Sequence, residues 1–482
     1  MACKFLQIFP SQSTRAPTDM LFSPCLPAEL WIQIFRFATL SHRLEPSRDY
    51  EYSPFSWCQE NENGQWATTL PVKLSLVQVC RNWRELATEL LYEEIGFLWN
   101  YSSVKGALEG KGSSESEGCG RFVRRLMEIP WLHPVTLGIV NSCPQLETLT
   151  IQVHGRSSCF SQDLLECLPK VPASLPKEKQ SLAKSESKTC LTRLIPRALR
   201  FRTRKRASSP NIPRCTSIPE CPSISVSTAS ALTHPLSHQL PFLKRIDWTE
   251  ISNDSEAFYF FHELIRRTPN LRYLSIVEER SPTYLSTYPT VVLPSLTTLH
   301  IAQIRGLERI QAICQWSLPA LTRVIVLPFP GNDDDVEHLS LLCRSFGCTL
   351  RSFELRSYML DSLPIILPLC PNLQELNIRG LCSPGGPFPA SHSSLSIIRL
   401  YSYAPPSRVK DDWDWWWATY NMGLHDTIAQ LCALSLPALQ RVVLHGDWTR
   451  ILEDDRSRDS RHALHERGWR VELEDGTSVE PI

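Results

Sequence analysis

No stretch of this chain runs eighteen apolar residues without interruption, which excludes a long apolar membrane-spanning segment. The apolar start MACKFLQIFPSQ is broken by Gln7 and stopped by Pro10, too short for a secretory leader. Net charge is lacking too. Fifty basic residues balance fifty acidic ones, so no global field draws the chain to nucleic acid or to an acidic membrane. The 17 cysteines contain no CxxC pair and form no even framework, a pattern of reduced thiols inside a cell and not of a disulfide scaffold. The expectation is a soluble protein of the cytoplasm and/or nucleus, with neither nucleic acid nor membrane as partner.

Catalytic signatures are missing as well. Neither HExxH nor GxSxG occurs. EGKGSS, from Glu109, looks like a phosphate loop, but Gly112 stands where Ser or Thr should follow the lysine, and no strand clearly feeds it. His234 and His238 flank Pro235, which denies them a common helix face. The expectation is a non-enzyme without catalytic residues, cofactor or metal.

What the chain does have is proline, 37 residues of it, recurring inside one phrase. CPQLETLTI starts at Cys143, LPFLKRIDW at Leu240, TPNLRYLSI at Thr268 and LPSLTTLHI at Leu293. LPALTRVIV follows at Leu318, CPNLQELNI at Cys370 and LPALQRVVL at Leu436. CTLRSFEL from Cys348 and SSLSIIRL from Ser393 are copies without the proline. From Leu243 through Leu271, Leu296, Leu321, Leu350 and Leu373 to Leu395, the first leucines stand 22 to 29 residues apart. Apolar residues occupy the first, fourth and sixth places, as in Leu271, Leu274 and Ile276; the last two alternate with polar residues, as a strand with one buried face requires. Segments between the phrases have helical spacing, for example Phe258, Phe261 and Leu264.

A strand and a helix repeated at this period resemble a leucine-rich repeat, though the usual asparagine or cysteine after the strand is mostly missing. The fold class expected is therefore α/β: an irregular leucine-rich-repeat-like solenoid over about 130 to 450, a curved parallel sheet with helices on its convex side. The stretch at about 155 to 238 interrupts it. From Lys170 to Leu240 it holds 13 Lys or Arg, eight prolines and twelve serines against three Glu, the composition of a disordered basic insertion. Its densest part, LRFRTRKR, reads as a solvated linker, or else as a nuclear-import or anion-contacting segment. Residues 1–21 are expected to be disordered and 451–482 to be a charged tail that carries His462 and His465.

Two apolar segments precede the repeats. LPAELWIQIFRFATL, from Leu26, starts sharply at Pro27 and has Glu29 in its first turn, which suits the helix dipole. Leu30, Ile34 and Phe37 make one face, and Trp31 and Phe35 widen it. LSLVQVCRNWRELATELLYEEI, from Leu74 to Ile95, sets Leu76, Val79, Cys80, Trp83, Leu86 and Ala87 at helical spacing. Together they resemble the F-box, whose signature is LPxE, an apolar helix and then VC-x-x-W. The resemblance covers about 22 to 98 and includes an insertion at about 41–70, read as a surface loop of the kind fungal F-box proteins carry.

The resemblance implies docking on a Skp-type adaptor of a cullin–RING ligase core, with Leu26, Pro27, Leu30, Ile34, Phe35, Leu76, Val79, Cys80 and Trp83 at or supporting the interface. It implies the substrate-recognition subunit of an SCF-type ubiquitin ligase whose repeats hold an unknown protein target. The alternative is a repeat scaffold whose F-box-like helices only cap the array. Residues flanking the middle leucine of each phrase are expected on the concave, target-facing side: Arg245, Asp247, Tyr273, Ser275, Thr298, His300, Arg323, Glu354, Glu375, Asn377, Arg399 and Arg441. DDWDWWW, Asp411 to Trp417, is expected to pack over the last repeats or to add a recognition patch.

Overall fold

The recurrent phrase folds as a tight turn that hands its leucine to the core. The amide of Leu271 donates to the Thr268 carbonyl at 3.2 Å, Leu296 to Leu293 at 3.3 Å, Leu321 to Leu318 at 3.1 Å and Leu373 to Cys370 at 3.0 Å. Proline takes the second place of each of these turns, where its fixed φ is already the one required. In the copy at 347–350 Gly347 opens the turn: a Cβ there would lie 2.1 Å from the Leu369 carbonyl oxygen, so only glycine fits. These leucines are fully buried, and a strand starts two residues after each.

The computed structural model describes residues 26–39, 54–55, 65–96, 101–110, 118–130, 135–153, 239–250, 255–278, 290–303, 307–327, 335–356, 362–379, 391–402, 427–446, 448–453 and 455–480. The expectations for 1–21, for 155–238, with His234, and for 411–417 lie outside the described residues. Twelve parallel strands stand side by side in chain order and do not close into a barrel. They are β1 (Glu94–Ile95), β2 (Arg125–Pro130), β3 (Thr148–Val153), β4 (Arg245–Glu250), β5 (Tyr273–Glu278) and β6 (Thr298–Ala302). The rest are β7 (Arg323–Leu327), β8 (Ser352–Arg356), β9 (Glu375–Arg379), β10 (Ile397–Ser402), β11 (Arg441–Gly446) and β12 (Arg470–Leu473). Registers run unbroken from β3 onward: Asp247 lies opposite Ser275, Ser275 opposite His300, and Glu354 opposite Asn377.

Among the described residues, helices between strands send their apolar side chains into one long core. Phe261, Leu264 and Ile265 come from the helix Ser255–Arg266, Ile310 and Ile313 from Leu307–Cys314, and Leu339, Leu342, Cys343 and Phe346 from Asp335–Phe346. Sheet positions such as Ile246, Leu274, Leu299, Val324, Phe353 and Leu376 meet them from the other side. The opposite face of the sheet carries the alternating residues, and no helix contributes to the small apolar cluster found there, Ala302, Ile325 and Leu327 with Val277.

Three helices precede the sheet: α1 (Ala28–Thr39), α2 (Gln65–Val79) and α3 (Arg81–Glu93). The Pro27 carbonyl accepts the first bonds of α1, from Leu30 and Trp31. The expected single helix over Leu74–Ile95 is broken at Cys80, whose backbone is extended and whose sulfur caps α3 by accepting from the Trp83 amide at 3.4 Å. Phe35, Val77, Ala87 and Leu90 form a core of their own for these helices. Trp83 packs its ring against Trp31 and Phe35, with centroids 4.9 and 4.8 Å away.

Three boundaries differ from expectation. The array starts at β1 and not near 130. The insertion is no simple surface loop, since α2 begins inside it at Gln65 and its Phe55 is fully buried. The charged tail is not a tail: short helical turns, the helix Arg458–Glu466 and β12 add one more unit, with Leu464, Trp469, Val471 and Val479 in the common core. His462 pairs with Glu466 at 3.0 Å on the exposed side of that helix. Deleting residues 447–482 exposes the edge of β11 and strips Leu439, Val442 and Leu444 of cover, so the truncated chain is expected to melt at least 5 °C lower, or to aggregate, in thermal unfolding and size-exclusion experiments (a loss of roughly 2 kcal/mol or more).

Candidate interaction surfaces

The residues expected to dock an adaptor divide into two groups. Phe35 is buried, and Leu76 and Trp83 are half-buried against the small helical core, so these three shape the unit from within. Leu26, Leu30 and Ile34 stand 41 to 45 % exposed and Phe37 83 % exposed along α1. Val79, at the end of α2, is 59 % exposed; Pro27 and Cys80 are exposed too. Helix α1 therefore carries two apolar sides: Trp31 and Phe35, one turn apart, pack inward, while Leu30, Ile34 and Phe37 stay in solvent. Uncovered apolar side chains of this size on short helices are a liability unless a partner covers them.

The residues expected on the target-facing side do lie together on the face of the sheet away from the helices, but they are largely paired with one another. Arg245 donates from Nε to Asp247 Oδ2 at 2.8 Å and lays its guanidinium over the Tyr273 ring at 4.4 Å. Ser275 Oγ and His300 Nδ1 share a hydrogen bond of 2.8 Å between neighbouring strands. Asn377 donates to Glu375 Oε1 at 2.9 Å, and Arg399 Nε approaches the same oxygen at 3.2 Å. Arg441 and Arg470 both reach the buried carboxylate of Glu472. Tyr273, Ser275, Thr298, His300, Glu354 and Asn377 are buried, whereas Arg245, Asp247, Arg323, Glu375, Arg399 and Arg441 are half-exposed. Burial holds the His300 imidazole neutral, down to about 3, with Arg245 and Arg379 acting in the same direction.

Sequence reasoning missed the row two residues further along each strand: Val277, Ala302, Leu327, Tyr401 and His445. It also missed Ile325 and Val443, apolar residues in the otherwise polar middle row. The signal was present, because VIVL at Val324–Leu327 is apolar at every place where alternation should bring a polar residue. Phe55 belongs to this surface as well. Its amide donates to Glu354 Oε2 at 3.2 Å, and its ring lies 5.0 Å from Tyr401 and 5.3 Å from His445. No sequence pattern marked it.

A polar cluster sits inside the core. Glu250 and Glu278 occupy equivalent places on β4 and β5, and Arg309 lies between them, 3.4 Å from Glu250 and 2.5 Å from Glu278. Trp248, Phe261, His262, Ile276, Ile313 and Trp316 complete the lining of a small cavity there. One guanidinium balances one carboxylate. Burial pushes the Glu278 carboxyl up to about 8 against the pull of Arg309, with the charge of Glu250 adding to the rise. At neutral pH the trio is thus balanced by a proton on the second acid. His262 is pushed the other way, to about 4, by burial and by Arg309 and Arg266. Among the described residues no group of three or more His, Cys, Asp or Glu is arranged to hold a metal, the eight cysteines are free thiols, and no helix is long and apolar enough to cross a membrane.

His262 makes the fold acid-sensitive. Its folded value lies below the unfolded one of 6.5, so its contribution is complete above pH 6.5 and is lost as pH falls toward 4, where the unfolded chain binds the extra proton. Glu278 runs oppositely, with stability lost as pH rises from 4.5 toward 8. Replacing His262 by Phe removes only the first effect. The drop in melting temperature between pH 6.5 and 4.5 is expected to shrink by roughly 2 °C or more relative to wild type, whatever the absolute stability of the variant; equal slopes by differential scanning calorimetry would refute the assignment.

Compared with known proteins, the chain matches no family model and no curated protein, so its role has to be argued from its own residues.

Proposed function

We propose that this chain is the substrate-recognition subunit of an SCF-type ubiquitin ligase, with α1–α3 as an F-box and the sheet array as an irregular leucine-rich-repeat-like solenoid. The observation that carries the reading is the exposed apolar side of α1, Leu26, Leu30, Ile34 and Phe37, together with Val79 at the end of α2. These helices have completed their own core and still present apolar side chains to solvent. Helices that merely closed the end of a repeat array would turn that side inward.

In this reading a Skp-type adaptor covers the exposed side. Phe35, Leu76 and Trp83 set the pitch of α1 against α3, and the Cys80 cap fixes the joint between α2 and α3. The array holds a protein target on the concave side of the sheet. The chain needs no catalytic residue, cofactor or metal, because holding the target beside a loaded conjugating enzyme raises the effective concentration of its lysines. A cytoplasmic or nuclear location follows from that role. The sheet face mixes acids, bases and apolar side chains, which fits a protein target better than a polyanion. The alternative, helices that only cap a scaffold, draws on the direct passage of α3 into β1, where the Arg124 amide bonds the Glu93 carbonyl at 2.9 Å.

Co-purification with the Skp-type adaptor separates the two. The double variant Leu30→Ala/Ile34→Ala is expected to lose adaptor binding by more than tenfold, at least about 1.4 kcal/mol, while its melting temperature stays within about 1 °C of wild type. Leu26→Ala/Pro27→Ala should act in the same direction. Wild-type chain that fails to bring down the adaptor, or variants that bind it fully, would leave the capping reading in its place.

A further inference from the structure

Phe55 is the least expected side chain in the molecule. It comes from the connection between α1 and α2, where a polar and aromatic insertion predicts solvent exposure, yet none of its surface is exposed. Its backbone has φ of 60°, in the left-handed region that a bulky side chain avoids at a cost of about 1–2 kcal/mol. Pro54 and Phe55 lie in a turn. Such strain persists only where the surroundings hold it in place, and it points toward function.

The surroundings are specific. Tyr401 and His445 stand opposite each other in register on β10 and β11 and form an aromatic seat; the ring of Phe55 meets His445 edge-on, at 63°. Two strands further, on β8, the fully buried carboxylate of Glu354 accepts the Phe55 amide. Arg399 donates to His445 Nε2 at 3.2 Å and fixes that ring beneath the occupant. A carboxylate that accepts the amide and two rings against the side chain together recognise an aromatic residue whose own N–H is not engaged within its own chain. A tight turn leaves that N–H available, whereas a helix interior commits it to the carbonyl four residues back and a paired strand commits it to its neighbour.

We propose that the sheet face over β8–β11 is a recognition site for an aromatic residue borne on a turn of a protein target, and that Phe55 occupies this site in the free chain as an internal competitor. The proposal rests on the reading of the array as a target-binding surface and names the class of target feature it takes. Two conditions favour displacement. The occupant is held in a strained backbone conformation, which weakens its grip, and an incoming residue in a relaxed turn finds the same seat and the same acceptor.

The test uses the full chain and a fluorescein-labelled peptide of residues 51–57, Glu-Tyr-Ser-Pro-Phe-Ser-Trp, followed by fluorescence polarisation. The Phe55→Ala chain is expected to bind the peptide at least tenfold more tightly than wild type, and the peptide with Phe replaced by Ala should bind neither. Adding Glu354→Gln to the Phe55→Ala chain is expected to weaken binding several-fold, since the carboxylate's charge strengthens the bond to the amide. Equal affinity of wild type and Phe55→Ala, or equal binding of the two peptides, overturns the proposal. Should Phe55→Ala not fold, as circular dichroism would report, the wild-type chain decides: at millimolar peptide the Phe-containing form must bind saturably and the Ala form must not. Adaptor capture by the same preparations is a separate readout. Peptide binding without adaptor binding leaves the site standing and removes the ligase reading; adaptor binding without peptide binding does the reverse.

Discussion

A hydrogen bond from the amide of a buried leucine to the carbonyl three residues before it recurs along the array, and the twelve-stranded sheet depends on it. Proline removes most of the conformational freedom the turn would otherwise have to lose, so the leucine is placed before its strand begins. Neighbouring turns are then tied by side chains. Asn270 donates to the Pro241 carbonyl, Asn372 to that of Cys348, and the Ser394 hydroxyl to that of Pro371. A second row joins Thr297 to Arg272, Thr322 to Thr297 and Ser396 to Gln374. These ties between units are made at the turns, ahead of each strand. Each bond reaches only the next unit, so stability spreads by nearest neighbours and the ends need protection. At β12 the chain turns back: Glu472 bridges Ser478 antiparallel, and the Val479 amide bonds the Val471 carbonyl, closing off the last edge.

That dependence also accounts for what was legible in the sequence. Strands β3 to β11 each follow a turn that must be spelled locally, with proline, glycine or serine before the leucine, and every one was found. The unit at 449–480 has no such turn. Its helix Arg458–Glu466 is charged nearly all round, and only Leu464 and the residues after it declare a core, so composition suggested a tail where packing makes an end cap. The two sides of α1 were indistinguishable for a different reason. Leu30, Ile34 and Phe37 are as apolar as Trp31 and Phe35, and periodicity gives the width of an apolar stripe without saying which part of it meets the protein's own core. Phe55 was invisible in principle, since one residue with no periodic neighbours leaves no pattern.

Stacking equivalent positions side by side sets the chemistry of the sheet face as well. A repeat brings the same position of adjacent strands within contact distance, and like charges there would repel. The chain offsets this by placing acids beside the bases: Asp247 beside Arg245 on one strand, Glu375 beside Arg399, and Glu472 between Arg441 and Arg470, which stand opposite each other in register. The interior trio applies the same rule where water is absent, with Arg309 between two acids and a proton supplying the remaining balance. Because these polar groups are satisfied sideways, they offer an incoming protein few unmet bonds. The positions left to discriminate are the apolar and aromatic ones among them, Val277, Ala302, Ile325 and Leu327 at the middle of the array and Tyr401 with His445 further along.

The length of the α1–α2 connection acquires a reason from this. A connection of about ten residues, sufficient to join two packed helices, would have no slack with which to leave them. The nine residues between Phe55 and Gln65, where α2 starts, can span up to roughly 35 Å when extended, and the arm from Thr39 to Phe55 is longer still. The insertion is long enough to carry one side chain from the helical unit to β8–β11 and back. Closing such a loop costs entropy that grows only slowly with its length, and the left-handed backbone costs about 1–2 kcal/mol more, while burying one phenylalanine returns about 2–3 kcal/mol. These opposing terms are of similar size. An occupant so nearly balanced stays in place when nothing competes, and it yields to a competitor that brings the same ring without the same strain.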